Sequence, residues 1–389
     1  MFFAAIHLSI AIWRAALLAL AAGPLVYYAA ATFSAWRFFC RERARALPDF
    51  APPVSILKPV HGVDFASYEN FASFCRQNYP GYEILFAVND ESDPAVPLIR
   101  RLMTDFPNSR IRLLSNAPRI GSNQKVNNLA LLAREAQHEI FVMTDGDVRV
   151  EPTYLREVVA PLANTTTGAV TSFYRGLAQQ NLGAKLEAIG AASDFFGGVI
   201  LAAATEGISF ALGASIATTR QWLDKIGGFE SFADMLADDY VLGNRIVKAG
   251  GRVELSRNVV WTMYPALTLR GFWQHQVRWA RTIRLARPAS YVGLLFTHGL
   301  PWTVLAVAIA PSWPVAWVYV AAYLVLRSAM AYVVGVWGIH DPVTKRNPHL
   351  LPLRDLIYFL VWLAAFGSSR VVWGQTEYRL ENGRMIQIK

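Results

Sequence analysis

The sequence predicts an α/β fold, with a mostly parallel sheet in the middle of the chain and membrane-spanning helices at both ends. Three observations predict it. From about Pro52 to Arg287, short apolar runs alternate with amphipathic stretches at helical spacing, the pattern of strands joined by helices. Two of those runs end in acidic clusters, Asn89-Asp90-Glu91 and Asp145-Gly146-Asp147. The flanks are strongly apolar: 54% of the 389 residues are hydrophobic and only 17% charged, against about 25% charged in ordinary soluble domains. The mean hydropathy is positive, yet the middle stretch has globular composition, so the charge deficit lies at the ends.

The first stretch, Phe2 to Trp36, carries one charge, Arg14. Ala15 to Trp36 is uncharged and long enough to span, because about 20 apolar residues cross the hydrocarbon core. A signal peptide has a shorter apolar region followed by a small-residue cleavage site. Here the run is longer and Arg37, Arg41, Arg43 and Arg45 follow it, so a retained anchor over 1–36 is expected. Arginines favour the cytoplasmic side, which places the polar middle in the cytoplasm.

Within the middle, Pro53–Leu57 reads as a buried strand with Lys58–Gly62 as its exit loop, and Tyr82–Val88 as a strand ending at Asn89-Asp90. Ala95–Phe106 has helical spacing, Ile111–Leu114 is a short strand, Asn123–Ala136 a helix, and Glu139–Thr144 a strand ending at Asp145. Asp238-Asp239 precede a helix over Val241–Ala249. Leu177–Gly207 is rich in Ala and Gly and suits an interfacial helix or a groove lining equally well. Ligands bind outside the carboxyl ends of parallel strands, so Asp90, Asp145 and Asp147 are expected on one face.

After Arg287 no charge appears until Arg327. Tyr291–Ala310 reads as a second span and Trp313–Trp337 as a third, with Pro311 and Pro314 at the turn. Arg327 inside the third must face protein, water or a headgroup. Two spans return the chain to the side of Lys345, Arg346 and Arg354, where charge and span count agree. Asp355–Arg370 is apolar but short, a fourth span or a re-entrant or interfacial helix; the charged tail (Arg379, Arg384, Lys389) favours the non-spanning form. The expected organisation is an anchor 1–36, an α/β domain 50–265, an interfacial segment 266–288, membrane segments 289–373 and a tail 374–389.

The net charge of +9 does not point to nucleic acid. The positives form no Lys-rich tract or nucleic-acid module, and many sit beside apolar segments, where they suit anionic headgroups. Cys40 and Cys75 have no disulfide or zinc spacing and suit reduced thiols.

Each acidic cluster suits a different task. Asp145 and Asp147, two apart on a turn, can present both carboxylates to one hard cation, Mg²⁺ or Mn²⁺, which takes one or two carboxylates together with diphosphate oxygens. Asp90 can accept from hydroxyl or ring N–H donors, or serve as a turn residue. Lys125 can reach a diphosphate or stand on a helix surface. Asp238-Asp239 suit helix capping, or a general base whose pKa is held up by its neighbour. Arg278 and Arg281 share a helical face, and Arg278-Trp279 suit phosphate pairing or an interfacial helix.

Taken together these phrases resemble a known group. Val54-Ser55-Ile56-Leu57-Lys58-Pro59 with His61-Gly62, Asp90 in Asn-Asp-Glu-Ser-Asp-Pro, Thr144-Asp145-Gly146-Asp147, Gly227-Gly228-Phe229-Glu230, Leu236-Ala237-Asp238-Asp239-Tyr240 and Arg278-Trp279-Ala280-Arg281-Thr282 are similar to those of ceramide glucosyltransferases and their bacterial relatives among the inverting family 2/21 glycosyltransferases. Hopanoid-associated glycosyltransferases are a close cousin. The resemblance covers nearly the whole chain. It implies a GT-A catalytic domain, a UDP-sugar donor, Mg²⁺ or Mn²⁺, and a lipid acceptor (ceramide or hopanoid) taken from the bilayer, the bacterial inner membrane. It implies Asp239 as catalytic base; Lys58, Asp90, Lys125, Asp145, Asp238, Arg278 and Trp279 toward the nucleotide sugar; and Asp145 and Asp147 toward the metal. Arg278-Trp279 match the family's (Q/R)xxRW element, with His275 at the Gln/Arg position, and Asp238 stands where relatives often have Glu. A polysaccharide synthase would need more spans. A non-catalytic membrane scaffold of the same fold would tolerate Asp239→Asn; an enzyme would not.

Overall fold

The computed structural model describes residues 2–178, 180–373, 376–381 and 384–388. Two compact units interleave along the chain. One takes Arg41–Gln179, Glu206–Ala266 and Arg370–Lys389, the other Met1–Cys40, Gln180–Thr205 and Leu267–Ser369. The sequence predicts contiguous segments; in the structure the Ala- and Gly-rich stretch leaves the sheet unit and the tail rejoins it. Lys389, counted in the tail's charge, lies outside the described residues.

The sheet unit is built on β1 (Val54–Pro59), β2 (Tyr82–Ala87), β3 (Arg110–Leu114), β4 (Ile140–Thr144), β5 (Val148–Arg149), β6 (Thr167–Ala178), β7 (Ser215–Thr219) and β8 (Arg252–Tyr264), in the order β3-β2-β1-β4-β7-β6-β8-β5. β1, β2, β3 and β4 pair in parallel, as the sequence predicts. β7 runs antiparallel between β4 and β6, β8 runs parallel to β6, and β5 closes the edge antiparallel to β8. β1 is buried along its whole length because both faces are covered, so it reads as an unbroken apolar run. On one face Leu57, Leu85, Phe141 and Met143 share a core with Val126, Leu129 and Leu132 of the helix Gln124–Glu135. Phe86 meets Phe71 with ring centroids 5.2 Å apart, and Phe74 meets Tyr154 at 6.1 Å.

Connectivity decides where a site can lie. From β1 the chain steps outward to β2 and β3, then returns to place β4 on the opposite side of β1. That reversal opens a crevice at the carboxyl ends of β1 and β4, the usual ligand position of a doubly wound sheet. The tail forms a second, three-stranded antiparallel sheet of β9 (Arg370–Trp373), β10 (Thr376–Glu381) and β11 (Arg384–Gln387). It is tied to the sheet unit where the Met385 amide donates to the Asp234 carbonyl at 2.8 Å.

In the helical unit, Ser9–Ala44, Leu182–Thr205, Trp313–Gly338 and Pro348–Gly367 are long and apolar enough to cross a membrane. The expected second span is not straight. Pro288–Thr297 and Gly299–Ile309 bend by 54° at their junction, and the Tyr28 hydroxyl binds the backbone opened there: it donates to the Thr297 carbonyl at 3.1 Å and accepts from the Gly299 amide at 2.9 Å. The last apolar helix starts at Pro348, ahead of Arg354 and Asp355. Arg327 faces protein: it is 2% exposed, forks onto Asp355 at 2.8–3.0 Å and also pairs with Asp194.

Candidate active site

β4 ends at Thr144, and the turn that follows presents Asp145, Gly146 and Asp147. Lys58, the penultimate residue of β1, lies fully buried under this turn. Its ammonium donates to Thr144 Oγ1 at 3.0 Å and to the Asp145 carbonyl at 2.8 Å, and sits 4.0 Å from the centroid of the Phe74 ring. Lys58 therefore holds the acidic turn in place from below; its hydrogen bonds go to protein. Burial lowers its pKa to about 7, against the opposing influence of Asp147 and Asp145. Asp147 moves the other way, up to about 7, first because it is desolvated and then because Asp145 is beside it.

Asp238 and Asp239 open the helix Asp238–Lys248. The capping alternative does not describe them: the N-cap residue is Ala237, no side chain caps the helix, and Asp239 accepts from the adjacent Tyr240 amide at 2.7 Å. Lys125 links the two clusters, 2.7 Å from Asp145 Oδ1 and 3.4 Å from Asp238 Oδ2. Burial opposes charge on Lys125, but Asp145 and Asp238 outweigh it and raise its pKa. Burial and then Asp238 push Asp239 up to about 7, with Lys125 pulling down. Lys125, Asp145, Asp238, Asp239 and Gly213 line one pocket over an apolar floor that includes Leu129, Met143 and Phe232.

Two braces set this meeting, and sequence reading missed both. Asn123 caps the Lys125 helix by accepting from the Val126 amide at 3.2 Å, while its own amide group donates to the Met235 carbonyl at 2.8 Å. Ser122 donates from its backbone to Asp234 at 2.8 Å. The segment carrying Lys125 is thereby sewn to the segment leading into Asp238. The helix start at Asn123 is legible in sequence; its second bond, to a residue 112 positions on, leaves no local signal. Gly213 is the other omission: a Cβ there would lie 3.0 Å from Asp239 Oδ2.

Asp90 stands at the end of β2, on the same sheet edge, but does not line that pocket. It is exposed and accepts from both the hydroxyl and the amide of Ser92, which lower its pKa. The neighbouring Asn89 accepts from Asn128 at 3.2 Å, tying this turn to the Lys125 helix.

Arg278 and Trp279 belong to the helical unit, on Leu269–Ala286. Trp279 is 40% exposed and meets Phe195 edge-on at 6.2 Å and His275 at 5.8 Å. His275 places Nδ1 2.7 Å from Glu187, so the residue at the Gln/Arg position of the motif is engaged within its own unit.

The family model described as Glycosyl transferase family 21 matches residues 16–386. Ceramide glucosyltransferase 1 of Caenorhabditis elegans is 27% identical over 240 residues, 60% of this chain and 50% of that protein. The ceramide glucosyltransferase of Gibberella zeae is 31% identical over 135 residues, 32% of this chain and 26% of that protein. The chain spans about half the length of the curated relatives it matches over most of its own length. Among solved structures, a mannosyltransferase from Pyrobaculum calidifontis in complex with GDP-Man and Mn2+ aligns with a TM-score of 0.52 at 20% identity, covering 89% of this chain and 99% of that one, a likeness of fold. A GT-A-like sheet with its acids gathered at the strand ends, and a family match running from the first apolar helix into the last strand, lead to one conclusion: the chain belongs to glycosyl transferase family 21.

Proposed function

We propose that this chain is an inverting membrane glycosyltransferase that moves a sugar from a UDP-sugar to the hydroxyl of a membrane lipid, ceramide in the first instance. The observation that carries the reading is the single pocket uniting the turn after β4 with the start of the Asp238 helix through Lys125. Such a pocket sets a diphosphate site beside a base. Kinship with ceramide glucosyltransferases supports the acceptor class. Four helices long and apolar enough to cross a membrane support a substrate drawn from the bilayer and an inner-membrane location with the sheet unit cytoplasmic.

In this reading Asp239 takes the proton of the acceptor hydroxyl. Its pKa near 7 suits a base at neutral pH, where proton affinity and availability balance. The deprotonated oxygen attacks the anomeric carbon, the glycosidic bond to UDP breaks through an oxocarbenium-like state, and an α-linked donor gives a β-linked product. Asp238 and Lys125 set the charge around the base. Lys58 orders the turn bearing Asp145 and Asp147, Asp90 meets the nucleoside, and Arg278 with Trp279 serve the nucleotide sugar.

Among the described residues no group of three or more His, Cys, Asp or Glu side chains could hold a metal ion by itself. Asp145 and Asp147 fit Mg²⁺ or Mn²⁺ when diphosphate oxygens complete the ligand set, and a cation there would relieve the like-charge repulsion that raises Asp147. When bound it would supply positive charge to the departing diphosphate.

The test uses purified full chain with Mg²⁺ or Mn²⁺, offered UDP-glucose, UDP-galactose or UDP-N-acetylglucosamine with ceramide or a hopanoid polyol, and mass spectrometry of the lipid. Expected is a glycosylated ceramide that Asp239→Asn abolishes, with the linkage read by NMR. A glycosylated hopanoid alone would replace the acceptor. Equal product from Asp239→Asn would remove the base assignment. UDP binding with no transfer to any lipid would sink the reading.

A further inference from the structure

Inside the helical unit, polar side chains from three helices meet, with Glu187 and Arg354 buried and His275 and Gln276 half-buried. Glu187, on Leu182–Ile189, is 6% exposed. Its Oε1 accepts from His275 Nδ1 at 2.7 Å and from Gln276 Nε2 at 3.3 Å, both on Leu269–Ala286. Gln276 Oε1 accepts in turn from Arg354 at 3.0 Å, on Leu351–Ala364. Arg354 is 3% exposed. The relay is closed at its middle and open at its ends: Glu187 Oε2 is a buried acceptor without a hydrogen-bond partner, and Arg354 Nε and Nη1 are buried donors without one. The nearest acid to Arg354, Asp194, keeps its Oδ2 3.9 Å from Nε, and that oxygen also lacks a hydrogen bond.

Three features separate this cluster from a plain structural ion network. Buried polar groups are almost always satisfied, and one left open asks for water or a ligand; here open donors and acceptors lie on one short relay. The helix is also distorted at this place. Between Leu182–Ile189 and Phe196–Thr205 it widens into a π-helical segment, Gly190–Phe195, which carries Asp194, and such distortions gather at functional sites. Arg354 lies against Gly190, where any Cβ would collide with its guanidinium, so the backbone is shaped to admit that head group.

The charges select the ligand. Arg327 and Arg354 pair with Asp194 and Asp355, while Glu187 faces His275 and has Arg278 beside it, three guanidiniums against three carboxylates. With the charges balanced, a charged headgroup would leave one sign in excess in a buried place, while an uncharged group that both donates and accepts suits open donors and acceptors alike. We propose that Glu187, Gln276 and Arg354 bind the uncharged polar head of the acceptor lipid, an amide or hydroxyl. The proposal rests on a lipid acceptor and adds the side chains that recognise it.

The experiment uses the full chain in nanodiscs with a ceramide carrying a diazirine at the head-proximal end of its N-acyl chain, and maps the label by mass spectrometry. Acceptor kinetics are measured alongside for wild type, Glu187→Gln, which keeps the shape, and Gln276→Leu. Expected is labelling of peptides within 182–195, 269–286 or 348–358, competed by unlabelled ceramide and not by phosphatidylserine. Both variants should raise the acceptor KM about tenfold or more, a loss of about 1.4 kcal/mol, with kcat and the UDP-sugar KM held within about twofold. Label elsewhere would overturn the proposal. So would variants that lower the melting temperature yet leave the acceptor KM unchanged, the mark of a structural role. A wild type that transfers no sugar but is labelled at these peptides would fail as a transferase and still support the site.

Discussion

Replacing Lys125 with methionine keeps most of the side-chain length and removes the one cation that joins the two acidic clusters. The ammonium stands 2.7 Å from Asp145 and 3.4 Å from Asp238, with side-chain exposures of 26%, 37% and 15% for Lys125, Asp145 and Asp238. Removing one partner of a well-buried pair costs about 3–5 kcal/mol. The exposure of Asp145 and Lys125 lets water screen part of that, leaving about 1–2 kcal/mol. The functional effect is sharper, because Lys125 is what pulls Asp239 down against burial and Asp238. Without it the Asp239 pKa rises from about 7 by about one further pH unit. A base works deprotonated, so the acid limb of kcat/KM moves to higher pH. At pH 7 the deprotonated fraction falls from about one half to about one tenth, so the variant should lose about fivefold and recover most of that in alkaline buffer. Initial rates of lipid glycosylation from about pH 6 to 9, at fixed donor and metal, read this directly. An acid limb that stays in place while the rate falls equally at all pH values would refute the coupling and leave Lys125 as a diphosphate ligand alone.

Other substitutions probe the frame around the pocket. Gly243→Ala would place a Cβ 2.5 Å from the Ala211 nitrogen and the Phe210 carbonyl carbon; backbone cannot yield cheaply, so about 1–3 kcal/mol of stability and a larger share of activity should be lost, read by melting and initial rates. Gly146→Ala meets nothing closer than 3.8 Å and should melt with the wild type. Lys58→Met removes the bonds to Thr144 and the Asp145 carbonyl, leaving acceptors unmet at about 1–3 kcal/mol, and should raise the donor KM more than it lowers kcat. Without metal or donor, stability should also carry the pKa values. Asp147 and Asp239 sit near 7 in the fold and 3.8 outside it, so between those values the folded state binds more protons and stability falls as pH rises. Lys58 sits near 7 in the fold and 10.5 outside it, so above 7 it contributes a rise. Urea titrations across pH measure the sum; stability climbing steadily from about pH 4 to 7 would contradict the burial of both acids.

Much of the parallel half of the sheet was legible because buried strands write themselves as apolar runs, as β1, β2 and β4 do, and two of these, β2 and β4, run into acids. β6, β7 and β8 escaped because their signals are mixed. β8 alternates buried and part-exposed residues and carries Arg252, Glu254 and Arg257 within its span. Asp145 and Asp239 could be named from residue type and position, but their meeting depends on Asn123 bonding across to Met235, a contact without local periodicity. Lys58 shows the converse. Its place at a strand end suits a ligand contact, yet the Phe74 ring and the Thr144 hydroxyl already enclose its ammonium.

The membrane segments were harder to read because counting charges does not show which of them pair with one another inside the protein. Arg327, Asp355, Asp194 and Arg354 face one another inside the helical unit, so neither Asp194 nor Asp355 ends its helix. Length and composition then allow more crossings than the chain can make. β6 lies before Leu182–Thr205 and β7 and β8 lie after it, yet all three pair in one sheet. A sheet with open edges cannot straddle the hydrocarbon layer, so Leu182–Thr205 enters and leaves by the same side, apolar and long enough but not a crossing. The tail obeys the same constraint, since β11 is bonded to Asp234 of the sheet unit. The stretch from Leu267 to Ser369 must therefore cross an even number of times. Two crossings come either from Trp313–Gly338 with Pro348–Gly367, which makes the 54° pair a re-entrant turn and Asp355 part of a crossing, or from the bent pair with Trp313–Gly338, as charge alone weights it. Single cysteines at Glu206, Ser312 and Glu381, labelled with an impermeant maleimide in oriented vesicles, decide it. Ser312, which follows the bent pair and precedes Trp313–Gly338, labels with Glu206 and Glu381 if the bent pair is re-entrant; Ser312 labelling from the opposite side makes the bent pair a crossing and removes Pro348–Gly367.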